Sequence, residues 1–101
     1  MEAIVKVWTE EEIRLNISIM ETWAIRALLA IYARQTATEK AIGDTTEHNS
    51  VGFTGWDAEI LTSMAKQYNE RGWLTVKQIS VVMKRMPKYA GQLLKIIEGK
   101  L

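Results

Sequence analysis

Four times in 101 residues a hydroxyl side chain is followed three positions later by a carboxylate or carboxamide, with an apolar helical period behind it. The four are Thr9-Glu10-Glu11-Glu12, Ser18-Ile19-Met20-Glu21, Thr54-Gly55-Trp56-Asp57 and Thr75-Val76-Lys77-Gln78. At this spacing the hydroxyl can accept from a free amide of the first helical turn while the fourth residue reaches back, and acids there also suit the positive helix start. Four such starts predict helices over about 10–15, 19–41, 55–71 and from 76 onward. Gly43 and Gly72 stand where left-handed caps would end the second and third.

The last segment carries its own break. Ile79, Val82, Met83, Met86, Ala90, Leu93, Leu94 and Ile97 keep one helical phase across Pro87. Proline has no amide to donate and clashes with the preceding turn. The segment therefore reads as two helices meeting at a bend, with Pro87 in the first turn of the second. Trp23 to Ala33 is apolar nearly all round, which predicts a long central helix buried on several sides. The expected fold is all-α: a compact bundle of about five helices around that long buried helix, one domain over 1–101. Ala3 to Trp8 suits an extended lead-in, and Asp44 to Phe53, with no period, a long loop. The expected interior includes Trp23, Leu28, Ile31, Trp56, Ile60, Leu61, Met64, Val82, Met86, Leu93 and Ile97. Trp8 and Trp73, beside caps, read as core or as staples onto a first turn, with an interface anchor as the alternative.

Composition limits the chemistry. There is no cysteine, which rules out disulfides and thiolate metal sites. The first residues show no basic region followed by an apolar stretch, so no secretory signal is expected. The longest apolar run, Ala27 to Ala33, is far short of the roughly twenty residues that span a bilayer. No membrane partner and a cytoplasmic location are the expectation. His48, the single histidine, has Asp44, Glu47 and Asn49 beside it, but no spacing matches a metal site; a solvated polar loop is the simpler reading. Ser50, Ser63 and Ser80 share that one base and lack a strained nucleophile turn. Gly52-Phe53-Thr54-Gly55 lacks the lysine of a phosphate-binding loop, although the helix start behind it could hold an anion. No catalytic residue, metal or cofactor is expected.

Charge is more informative. Residues 1–50 hold five Lys/Arg against eight Asp/Glu, and residues 51–101 hold eight against four, so the balance runs from −3 to +4. Lys77, Lys84, Lys88 and Lys95 fall at i, i+7, i+11 and i+18, sharing one helical face beside Arg85. That stripe is a candidate for phosphate contact; the alternative is an ordinary solvated face. In the acidic half, Glu10, Glu11, Glu12, Asp44 and Glu47 are candidates for meeting a basic protein surface.

Gly52-Phe53, Asp57-Ala58-Glu59-Ile60-Leu61, Leu74-Thr75-Val76-Lys77-Gln78 and Lys88-Tyr89-Ala90-Gly91-Gln92-Leu93 together resemble a small module of the form "GF…DAE…LT.KQ…KYA.QL". Such modules occur in short bacteriophage and mobile-element proteins and, more loosely, ahead of phage helicase motor domains. The resemblance covers about two-thirds of the chain and carries over no catalytic residue. It implies a non-enzymatic accessory protein in phage or mobile-element DNA transactions, with nucleic acid or a nucleic-acid-processing complex as partner. The alternative is a protein-protein inhibitor of host machinery. Oligomeric state is not legible.

Overall fold

Thr9 forms the capping box that its sequence predicts: its hydroxyl accepts from the Glu12 amide at 3.2 Å, and Glu12 Oε1 accepts from the Thr9 amide at 3.1 Å. The computed structural model describes residues 7–42, 52–55 and 57–99, with the side chains of all but 37–42 among them. Behind Thr9 the helix α1 runs over Glu10–Ile19, longer than the predicted 10–15. Ser18 does not cap the next helix. Its hydroxyl donates to the Arg14 carbonyl at 2.8 Å, a back-bond that lets a serine sit inside a helix. The break falls instead on Met20, a single extended residue. Its amide closes α1 on Asn16 and its carbonyl receives the Ala24 amide.

Helix α2 then covers Glu21–Ile42. Ala24, Ala27, Leu28 and Ile31 are fully buried, whereas Arg26, Ala33 and Arg34 are exposed. The helix therefore buries one stripe with half-buried shoulders rather than several whole sides. Trp8 packs edge-on against Trp23 at 4.9 Å between ring centroids, tying the lead-in to α2.

Helix α3 is Asp57–Arg71. Gly72, at φ +79°, closes it with a 2.7 Å bond from its amide to the Tyr68 carbonyl. The buried stripe of α3 is Asp57, Leu61 and Ala65, at i, i+4 and i+8. That turns Ile60 outward to 41% exposure and leaves Met64 half-buried, correcting the expected interior face, which was centred on the larger side chains.

Thr75 and Gln78 form another of the four predicted capping boxes, opening α4 over Val76–Arg85. Gln78 also exchanges two 2.9 Å amide bonds with Gln67, fixing the turn between α3 and α4. Trp73 in that turn stays half-exposed, with the Arg71 guanidinium 6.0 Å from its ring centre.

The predicted bend at Pro87 is a 3₁₀ turn, Met86–Tyr89, followed by α5 over Ala90–Ile97. The Met86 amide still reaches the Val82 carbonyl, but Ala90 bonds back only to Pro87, so the missing proline amide is passed over by tightening one turn. The apolar phase survives, with Val82, Met86, Ala90 and Leu93 buried. Ile97, in the final turn of α5, is an exception at 49% exposure.

The described residues are helical without strands, and their buried side chains form one core drawn from every helix, with Phe53 and Leu74 added from the connections. Trp23 is half-buried against it. Trp56, His48 and the Asp44 to Val51 part of the expected loop lie outside the described residues, as do Ala3 to Lys6.

Candidate nucleic-acid interface

Among the described residues, Asp57 is the one charged side chain in the core, fully buried at the start of α3. A buried carboxylate needs partners, and three come from the segment around Pro87. Arg85 Nη1 donates to Oδ1 at 2.9 Å, the Tyr89 hydroxyl donates to Oδ2 at 2.9 Å, and the Lys88 ammonium pairs with the same Oδ2. Burial alone would push the Asp57 carboxyl up; the bonds from Lys88, Tyr89 and Arg85 together outweigh it and hold the group below its ordinary value. Conversely, the bond to Asp57 raises the Lys88 ammonium above its own, against a smaller effect of burial.

Tyr89 extends the network. Its hydroxyl also accepts from the Thr54 amide at 3.0 Å, and its ring meets Phe53 edge-on at 5.6 Å. The next amides upstream are held in the same manner. Phe53 donates to Gln35 Oε1 of α2 at 2.9 Å, and Gly52 exchanges two 3.0 Å bonds with the Gln92 carboxamide of α5. Gly52 sits at φ +117°, and a Cβ there would stand 2.5 Å from Gln35 Oε1, so glycine is required for the backbone angle and for the close approach. Thr54 joins this strap through its amide, and its hydroxyl lies 3.5 Å from that of Tyr89.

Above Asp57 the surface forms an open groove of about 460 Å³ lined by Asp57, Val81, Lys84, Arg85 and Lys88. Lys84, Arg85 and Lys88 of the expected basic stripe are therefore brought together on one groove. Two of its members are bound to a buried partner that the charge pattern did not reveal. Lys77 and Lys95 are exposed but do not line the groove. In the acidic half, Glu10 and Glu11 are exposed on α1; Glu10 pairs with Arg14 at 2.8 Å, and Glu12 is engaged in its cap. Asp44 and Glu47 lie outside the described residues.

No family model, curated protein or solved structure matches the chain. Its residues alone carry the functional argument. Among the described residues, no three acidic or histidine side chains converge as metal ligands would, and no helix is long and apolar enough to cross a membrane. Sequence reasoning missed Asp57, Tyr89, Gln35 and Gln92 as a network. A signal was present: Asp57 stands one and two helical turns before Leu61 and Ala65, the stripe that faces inward.

Proposed function

We propose that the chain is a non-enzymatic accessory protein of phage or mobile-element DNA transactions, acting in the cytoplasm and contacting nucleic acid through the groove of Lys84, Arg85 and Lys88. The observation that carries this reading is the convergence of three cations on one open concavity, two of them oriented by a fixed carboxylate. An oriented cation loses less freedom on meeting a phosphate than a free surface lysine does. Asp57 and Lys88, both part of the module resemblance, line this groove; Tyr89 bonds Asp57, and Gln92 bonds Gly52 upstream. These residues hold Gly52 to Thr54 and Asp57 against the segment around Pro87.

Fluorescence anisotropy with single- and double-stranded DNA over a range of salt tests the reading. Lys84→Gln should weaken binding and lower the log–log salt slope on duplex DNA by about 0.9, as expected for one lost phosphate contact. Arg85 and Lys88 need a compensated variant, because removing both would strand the Asp57 charge. Asp57→Asn combined with Lys84→Gln, Arg85→Gln and Lys88→Gln avoids that. Absence of DNA binding by the unaltered protein at low ionic strength overturns the reading.

A second reading, an inhibitor that docks on a host protein, is favoured by α1. Glu11, Leu15 and Ile19 follow at i, i+4 and i+8, and Leu15 and Ile19 are 58% and 60% exposed. An acidic start followed by an uncovered apolar stripe suits a protein surface rather than phosphate. A stable protein complex weakened by Leu15→Glu, with no DNA binding, would support this alternative.

A further inference from the structure

The groove over Asp57 has a definite charge. Lys84, Arg85 and Lys88 supply three positive charges and Asp57 one negative, leaving +2 among the lining side chains. Asp57 is turned inward, with Oδ1 taken by Arg85 and Oδ2 by Tyr89 and Lys88. It therefore sets two of the cations in place without filling their donor capacity. Arg85 spends one terminal nitrogen on Oδ1, while a guanidinium has five N–H donors and an ammonium three. Lys84 has no bonded partner among the described residues and stands on the same groove.

An internal phosphodiester brings one negative charge, whereas a phosphate monoester brings about −1.5 to −2 near neutral pH and three strong acceptor oxygens. A concavity of +2 fed by three separate cationic groups matches the monoester in both charge and acceptor number. We propose that the groove is a site for a phosphate monoester, the terminal phosphate of a nucleic-acid strand, bound in preference to phosphates within the strand. The strand as the source rests on the nucleic-acid reading above; the phosphate chemistry does not.

Three otherwise identical oligonucleotides, with a 5′-phosphate, a 3′-phosphate or only hydroxyl ends, separate the possibilities, together with inorganic phosphate titrated into isotopically labelled protein. One phosphorylated strand should bind about tenfold tighter than the hydroxyl strand, the scale of one added charge-assisted contact. Lys84→Gln should remove that difference; it touches none of the Asp57 contacts, so a loss of fold does not confuse the result. Inorganic phosphate should shift the signals of Lys84, Arg85 and Lys88 and compete with the phosphorylated strand. Equal binding of all three strands overturns the monoester site while the nucleic-acid reading stands. Phosphate-induced shifts at the groove without binding of any strand would support the monoester site and remove the strand as its source. No response to either probe overturns both.

Discussion

The Tyr89 hydroxyl donates to Asp57 Oδ2 at 2.9 Å across 32 positions of sequence, so the Pro87 bend supplies the partner of the only described charge in the core. Asp57→Ala removes that acceptor, while Arg85 and Lys88 can turn into water. The expected loss is about 1–3 kcal/mol, the range for leaving a buried polar group, here the Tyr89 hydroxyl, without that partner. Urea denaturation of both proteins measures it, and a loss near zero would mean that the carboxylate is dispensable.

The same group sets the response to acid. Its folded carboxyl is more acidic than the ordinary 3.8, so the folded state holds the proton less tightly than the unfolded chain. The Asp57 contribution is thus complete above about pH 4 and is lost as the pH falls below that value. Lys88 acts in the opposite direction. Its ammonium is held above the ordinary 10.5, so its share persists below that pH and fades as the solution becomes more alkaline. Thermal melts from pH 2 to 12 should show both limbs, and Asp57→Asn should flatten them.

Gly52→Ala should destabilise more than Gly55→Ala. Both have positive φ, at 117° and 55°, but only at Gly52 does the added methyl meet another side chain. Backbone strain of about 1–3 kcal/mol applies at each site; displacing Gln35 adds to it at Gly52 alone and breaks the bond to the Phe53 amide. Equal losses in a denaturant comparison would contradict the close approach.

Leu28→Ala should cost about 2–5 kcal/mol, because the side chain is fully buried in the core stripe of α2. Ile60→Ala, at a half-exposed position of α3, should cost far less. Comparable losses would mean that α3 is rotated.

The local part of this fold was legible in the sequence. Thr9 with Glu12, and Thr75 with Gln78, bond as their spacing predicts, because such caps lie within four consecutive residues. The phase carried across Pro87 was legible for the same reason. Ser18 has an equally good pattern and fails, because Ile17 beside it is buried in the core and the helix continues past the hydroxyl. Face assignment was weaker: Ile60 outranks Asp57 in hydropathy, yet Asp57 is turned inward because Arg85, Lys88 and Tyr89 await it. In the candidate site, clustered cations were legible as a charge run. Their carboxylate partner was not, since no periodicity connects position 57 with 85 and 88.

The strap over Gly52 to Thr54 also bears on the order of assembly. Its three amides find their acceptors on Gln92, Gln35 and Tyr89, at separations of 40, 18 and 35 residues. None of these bonds can form within an isolated helix, and one acceptor precedes the strap in sequence while two follow it. Closing such distances is entropically costly until the helices have met, so this segment locks late and opens early. Its amides should exchange hydrogen for deuterium well before those at the centre of α2, although Gly52 and Phe53 are buried in the finished protein.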